Sequence, residues 1–471
     1  MECFLRSCQF VLKGPPKSSP GLHVVLGNEA CDLDSMVSSL TFAYFLSKVS
    51  GSEKTPVPVL NIPRAEFPLR TDSGFLLREC GLTQDALVFR DEVDLHRLHR
   101  AGKLALTLVD HNALPSTDCD LEGAVVEVID HHQLERMPSP SCLVTVETVG
   151  SCATLVTERI MQKAPEVLDQ QVAQLLYGTI ITDCVNMAPE AGKVTPKDSK
   201  YAVLLESRFP DLPPRGALFQ SLQNAKFDIS GLSTEQMLMK DLKVASGEGL
   251  KLAVCIIYMT LEAFLQRRGL QRELCEFCDR HGYSLVITMM VSINEKKELF
   301  RQLAVYSSST IYREEMSRAL EKAHSPCLNL SPMCSPCAEV KAYLQGNALA
   351  SRKEIMPVIR DCLKDWGRRS VHCSNPEDLG ELEEQFGSSC GPVTDDESRA
   401  RPGTASRRYR LFAEESGVEE DSLVPPTPMN SLVEGCPLDR GLPSVSAEAV
   451  LERFREVTDE ARTEDRPPRG Q

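Results

Sequence analysis

The chain is 471 residues long, 42% hydrophobic, and carries a formal charge of −15. That length suits two or three domains, and no apolar run approaches the length of a membrane span. The acidity is uneven: Ser374 to Gln471 holds 22 acidic and 11 basic residues, the remainder 45 and 41, so the body lacks the basic footprint of broad nucleic-acid binding.

Met1 to Leu12 has one Arg and an apolar stretch broken by Cys, Gln and Ser. With no small-residue cleavage site after it, it reads as a short surface helix and not a signal peptide. Eighteen cysteines in so long a chain without a secretory signal read as reduced thiols in an intracellular protein. After the Pro-rich loop Gly14 to Pro20, Leu22-His23-Val24-Val25-Leu26 predicts a strand, followed by Gly27-Asn28-Glu29-Ala30-Cys31-Asp32-Leu33-Asp34-Ser35. Asp34 and Ser35 are suited to cap a helix carrying Met36, Val37, Leu40 and Ala43. Val57 to Leu60 is a short second strand. Phe75–Cys80, Ala86–Phe89 and Asp94–Ala101 continue the alternation of helical and strand-like segments. Leu104 to Val109 is a strand leading to Asp110-His111-Asn112.

The β-branched run Ala124, Val125, Val126, Val128, Ile129 predicts a buried parallel strand. It ends in Asp130-His131-His132, the only adjacent pair among nine histidines. Gly150-Ser151 opens a helix whose free N–H groups suit an anion. The apolar segment Leu175 to Ile181, grouped with the strand ends for its position before Asp183, also falls within a helical pattern from Asp169 through Asp183. This β–α alternation predicts a parallel sheet with helices on both faces, and ligands of such sheets bind at the strands' C-terminal ends. A single Asp there is usually a cap or turn former. Asp32, Asp34, Asp110 and Asp183 beside the Asp130-His131-His132 triplet would repel one another unless cations sat between them. The economical expectation is a two-metal site.

Residues 1–190 are expected to form the first domain, 191–214 a Pro-rich linker, and 215–373 a smaller α/β domain with mixed strands at Leu250 to Met259, Ser284 to Val291 and Arg301 to Ser307. Helices are expected at Leu261–Arg268 and Glu273–Gly282. Ser351-Arg352-Lys353 then leads into a helix with Ile355, Met356, Ile359 and Leu363, concentrating positive charge at its start. Cys275/Cys278 and Cys334/Cys337 have zinc-ribbon spacing, but a helical and a Pro/Ser-rich context make incidental thiols the expected state. Residues 374–471 read by composition as a disordered acidic tail. Within it are a polyproline-like island, Val424 to Met429, and an amphipathic one, Ser446 to Ala461, suited to docking a partner or folding back.

The ordered set Asp32-Leu33-Asp34-Ser35, Asp110-His111-Asn112, Asp130-His131-His132 and Asp183 resembles the motifs of the DHH phosphoesterase superfamily. Ser351-Arg352-Lys353 resembles the phosphate-gripping signature of its second, DHHA2 domain. The combination is similar to the prune proteins, beside short-chain exopolyphosphatases and family II inorganic pyrophosphatases. The resemblance implies two divalent ions, Mn²⁺ or Mg²⁺, with Asp110 bridging them, Asp32 on one, and Asp34, Asp183 and His131 on the other. It implies that His132 faces the phosphate, with Arg352, Lys353 and Lys226 as substrate cations. Asn28 stands where pyrophosphatases of the family carry a His ligand, which implies a looser first metal site and a shift towards exopolyphosphatase.

The implied activity is hydrolysis of short inorganic polyphosphates, with cyclic-nucleotide phosphodiester cleavage as a second. The competing expectation is a slow or inactive scaffold acting through tail binding to a nucleoside diphosphate kinase. A nanoRNA exonuclease is disfavoured, because those relatives carry a different second domain. The expected location is the cytoplasm, or the nucleus as well, although no strong basic import cluster is present.

Overall fold

The computed structural model describes residues 1–14, 21–49, 51, 53–135, 141–247, 250–293 and 299–372. The two tail islands lie outside them. Helix α1 (Glu2–Lys13) precedes strand β1 (Leu22–Leu26), then α2 (Leu33–Val49), β2 (Thr55–Val59), α3 (Thr71–Glu79), α4 (Leu95–Arg100), β3 (Leu104–Val109), β4 (Val125–Asp130) and β5 (Leu143–Val146). The strands form one sheet in the order β2-β1-β3-β4-β5, and every pairing is parallel. Because β1, β3 and β4 are central, both their faces are covered and their sequences are almost continuously apolar. Helix α2 is buried nearly all round, so even its Ser39 is satisfied internally, donating to the Val25 carbonyl at 2.8 Å.

Helices α5 (Cys152–Lys163), α6 (Gln170–Asp183), α7 (Pro196–Arg208) and α8 (Arg215–Phe227) complete this half. Leu175 to Ile181 is therefore helix and not strand: a short, mostly apolar run interrupted by Tyr177, Gly178 and Thr179 does not distinguish the two, and it lies within α6. Residues 191–214, expected to be linker, contain α7. Ala202 and Leu205 of α7, with Leu218, Phe219 and Leu222 of α8, are buried in the first domain's core. Pro196 stands at the first position of α7, and Pro210, Pro213 and Pro214 fall between α7 and α8.

The second half begins with α9 (Thr234–Lys240) and continues through β6 (Leu242–Gly247), β7 (Leu250–Ile257), α10 (Leu261–Leu265), α11 (Leu270–His281), β8 (Leu285–Ile293), β9 (Leu299–Tyr306), α12 (Thr310–Glu321), β10 (Leu330–Met333), β11 (Val340–Gln345) and α13 (Arg352–His372). Its six-stranded sheet runs β10-β11-β9-β8-β7-β6. Only β7 and β8 pair in parallel, so it is mixed as expected. One face packs α9, α10 and α11, with Leu238, Phe264 and Phe277 buried; the other packs α12 and α13, with Leu320, Ile355 and Ile359 buried. Cys278 and Cys337 belong to the first of these cores, so at least one thiol of each Cys-x-x-Cys pair is packing material.

The turn into α5 fixes the site described next. Asp198 of α7 is fully buried and accepts from Gly150 N (2.8 Å), Thr154 Oγ1 (2.6 Å), Thr195 N (2.8 Å) and Thr195 Oγ1 (2.6 Å). A Cβ on Gly150 would stand 2.3 Å from the Lys193 carbonyl oxygen and 2.5 Å from Cys184 Sγ. Gly150→Ala is therefore expected to lower the unfolding free energy by about 1–3 kcal/mol, the usual range for overpacking, read as a lower urea midpoint. An unchanged midpoint would show that this turn is not held as closely as the contacts indicate.

Candidate metal centre

Asp110 stands one residue past β3, in the left-handed region at φ 62°, a conformation that Asp tolerates better than most residues. Its Oδ2 accepts from Ser35 Oγ (2.8 Å) and Asn28 Nδ2 (3.0 Å), and its Oδ1 lies 3.1 Å from His131 Nε2. Three loops thus meet at one buried carboxylate: those after β1, β3 and β4. Asp110, His131 and His132 are, among the described residues, the only group of three or more His, Cys, Asp or Glu whose ligand atoms all lie within 4.8 Å of one another. The Cys-x-x-Cys pairs do not form a second such group.

Asp34 and Ser35 were expected to cap α2. Instead Asp32 does so, accepting from Ser35 N at 3.1 Å. Asp34, the second residue of the helix, points across to the start of α5, where its carboxylate accepts from Cys152 N (2.6 Å) and Ala153 N (2.8 Å). The anion met by that helix N-terminus is therefore the protein's own carboxylate. Asp34 Oδ2 is also 3.7 Å from His131 Nε2. Asp183 is the last residue of α6, and its Oδ2 is buried without a hydrogen-bond partner.

These acids share one field. Burial, and then the charge of Asp110, push the Asp34 carboxyl up to about 7. Burial, followed by the charges of Asp34 and Asp32, raises Asp183 well above the carboxylate range. Among the described residues no Lys or Arg pairs with Asp34, Asp110 or Asp183; their ion-pair partners, where they have any, are His131 and His132.

The histidines differ in role. His131 Nδ1 lies 2.8 Å from the Val149 carbonyl. A carbonyl only accepts, so Nδ1 carries a proton, and in the neutral ring Nε2 is the lone-pair ligand atom, the pattern of a metal-binding His held by a backbone oxygen. His132 Nδ1 is 2.7 Å from Asp130 Oδ1. Burial lowers its pKa, but the Asp130 hydrogen bond and the Asp110 charge outweigh that and raise it to about 8. Asp130 is fully buried and also accepts from Asn112 Nδ2 (2.5 Å) and the His131 amide (2.7 Å). Burial raises its carboxyl, but the His132 hydrogen bond and the two histidine charges bring it down to about 2.

Asn28, expected as a weak ligand, uses its amide as a brace: Nδ2 donates to Asp110, and Oδ1 accepts from Cys31 N at 3.1 Å. Lys226 is only 4% exposed, with its ammonium 3.8 Å from Asp72 Oδ2, so it lies in the seam beside α3. Arg352 does begin α13, but its guanidinium is buried: Nη2 donates to Asp241 Oδ1 at 2.6 Å and Nη1 to the Asp241 carbonyl at 2.8 Å. Lys353 is exposed beside it. The bracing roles of Ser35, Asn112 and the Val149 carbonyl were not foreseen. Ser35 and Asn112 sit inside the motifs, but a carbonyl leaves no mark on a sequence.

The model described as "DHH family, N-terminal domain" matches residues 23–180, and that described as "DHHA2 domain" matches 220–362. Exopolyphosphatase PRUNE1 of Bos taurus is 48% identical over 459 residues, covering 97% of each chain. Its Rattus norvegicus counterpart is 49% identical over 458 residues, again 97% of each. The manganese-dependent inorganic pyrophosphatase of Methanocaldococcus jannaschii is 23% identical over 319 residues, 63% of this chain and 95% of that one. A parallel-sheet domain ending in clustered acids, followed by a mixed-sheet domain, and near-full-length likeness at this identity lead to one assignment: the chain belongs to the prune branch of the DHH family, with a DHHA2 domain as its second half.

Proposed function

We propose that the chain is a divalent-metal-dependent phosphohydrolase that releases phosphate from short inorganic polyphosphates. The observation that carries this reading is the meeting of Asp34 and Asp110 at His131 Nε2, with Asp183 in the field of both acids, one of its oxygens buried and unpaired, and no Lys or Arg among the described residues paired with any of the three. Buried acids in that state favour either protons or metal cations, and the donor set, carboxylate oxygens with one imidazole, suits Mn²⁺ or Mg²⁺. The exopolyphosphatase relatives support the substrate class, and the manganese-dependent pyrophosphatase supports the metal.

In this reading Asp32, Asp34, Asp110, Asp183 and His131 would hold the divalent ions. Bound divalent ions would neutralise phosphate oxygens and lower the pKa of water enough to make hydroxide available near pH 7. The chain's own residues do the rest. Asn28 and Ser35 fix Asp110, and the Val149 carbonyl fixes the tautomer of His131. His132, protonated at neutral pH through Asp130, donates from its other ring nitrogen to a phosphate oxygen. Lys353 and Arg352 supply positive charge for the rest of the polyphosphate, Arg352 with its planar fork held in place by Asp241.

The decisive test is phosphate release from tripolyphosphate with Mn²⁺, with pyrophosphate and cyclic AMP as comparison substrates. Release no faster than a no-enzyme blank would overturn the reading. Asp110→Ala is expected to cost a hundredfold or more, above the roughly 10–100-fold typical of losing an outer-sphere partner.

The pH dependence of stability carries a sign. Asp34 and Asp183 have folded-state pKa values above the unfolded carboxylate value, so without metal their contribution is full below about pH 4. For Asp34 it is lost as pH rises towards and through about 7, and for Asp183 it is lost in the same direction. Metal-stripped protein should therefore lose this contribution between about pH 4 and 7. Saturating Mn²⁺ should raise the melting temperature more at pH 8 than at pH 5, because protons and metal compete for the same oxygens. An equal shift at both pH values would contradict the assignment. His132 predicts an alkaline limb of activity near pH 8, and Asp130→Asn should move that limb to lower pH by weakening the proton's hold.

A further inference from the structure

Lys240 ends α9, whose Met237 and Leu238 lie in the second domain's core. Its side chain crosses into the first domain. Nζ donates to the Leu69 carbonyl at 2.7 Å and to Thr71 Oγ1 at 2.9 Å, and the residue is 1% exposed. Arg70, between those two acceptors, is equally buried and turns the other way: Nη2 and Nε both donate to the Ala30 carbonyl, at 2.6 and 3.2 Å. Ala30 lies in the loop between β1 and α2, two residues before Asp32, next to Cys31 at φ 47°. Thr71 Oγ1 also lies 3.2 Å from the Lys226 carbonyl. On the far side of Lys240, Asp241 accepts from Arg352 Nη2 and, at 3.0 Å, from the Tyr258 hydroxyl. Two consecutive residues of the second domain thus join the loop that carries Asp32 to the start of α13.

We propose that Lys240 is a positioning residue that couples the seating of the second domain to the Asp32 loop through Arg70, and so sets the affinity of the acid cluster for divalent cations. The inference rests on the metal reading proposed above. Without the ammonium, the carbonyl of buried Leu69 is left short of a donor, and the half-buried Thr71 hydroxyl keeps only its donation to the Lys226 carbonyl. Residues 69–71 then shift to find other partners, and Arg70, held within that segment, carries the shift to Ala30. Cys31 already holds a conformation that few non-glycine residues adopt, so the loop has little reason to keep its shape once released. The cost of burying Lys240 supports this role: burial pulls its pKa down to about 8, and an apolar side chain of similar length would fill the space without that penalty. Coupling of this kind is carried by packed, hydrogen-bonded contacts between two elements that can move relative to each other.

The test is Mn²⁺ titration calorimetry on the full chain. Lys240→Met is expected to weaken Mn²⁺ binding about three- to thirtyfold, the range over which residues remote from a ligand alter its affinity. Thr71→Val, which leaves Lys240 its bond to the Leu69 carbonyl and removes the Thr71 hydroxyl together with its donation to the Lys226 carbonyl, should weaken it less. Leu320→Ala, in the second domain's core far from this contact, controls for general loosening and should leave Mn²⁺ affinity unchanged. If Lys240→Met does not fold, Thr71→Val decides alone. Wild-type affinity in the folded Lys240→Met and Thr71→Val proteins overturns the coupling, as does an equal loss in Leu320→Ala. Wild-type protein that binds no Mn²⁺ overturns the metal reading and the coupling together, whereas unchanged affinity in the variants of a metal-binding wild type overturns the coupling alone.

Discussion

Mutual repulsion among buried carboxylates is the constraint around which the first domain is arranged. Two unit charges about 5 Å apart at an effective dielectric of about 20 repel by roughly 3 kcal/mol, and Asp34, Asp110, Asp183 and Asp32 all act on one another. The protein meets part of this with donors: two amides of α5 on Asp34, and Ser35 and Asn28 on Asp110. A helix N-terminus contributes about 0.3–1 kcal/mol, up to about 2 when partly buried. These donors mainly replace the water that burial removes, and the repulsion between neighbours persists. It is relieved by protons, as the raised Asp34 and Asp183 carboxyls show, or by cations.

The second organising feature is the positive charge behind the acids. Arg70, Lys226 and Lys240 are all at most 4% exposed, with Asp72 among them and Asp241 already occupied by Arg352. An isolated buried ammonium is expensive, and these lie where the two domains touch. The seam is thus specified by charge as well as by apolar packing: Lys240 in place requires Leu69 and Thr71 opposite it. Arg352 follows the same logic within the second domain, since removing one member of a buried pair usually costs about 3–5 kcal/mol. Its anchoring by Asp241 limits the rotamers through which it can meet a phosphate, a form of preorganisation that Lys353, exposed beside it, does not have.

What was legible in the sequence divides along physical lines. The strands before Asp110 and Asp130 declared themselves because parallel central strands are apolar on both faces and short. Their C-terminal ends then told where the acids would gather. The segment before Asp183 was ambiguous because a seven-residue apolar run fits a buried helix as well as a strand, and helix α6 placed its Asp at the same cluster by another route. The linker was misplaced because proline was read as a breaker, whereas Pro196 occupies a first helical position where it breaks nothing. Asp34 as a helix cap was the local choice. It lost to the α5 N-terminus, which is 118 residues away in the sequence and could not be paired with it by spacing.

Asn28 joins these threads. Its amide oxygen is taken by the Cys31 N–H and its amide nitrogen by Asp110. An amide cannot be deprotonated into a stronger donor, and its nitrogen is no ligand at all. With its oxygen committed to Cys31, Asn28 serves to hold the Asp110 carboxylate in place. The same Cys31 stands beside Ala30, the carbonyl that Arg70 holds. The loop after β1 is therefore pinned from both sides, by Asn28 towards Asp110 and by Arg70 towards the second domain. Asp32, which caps α2 from within this loop, takes its position from that pinning.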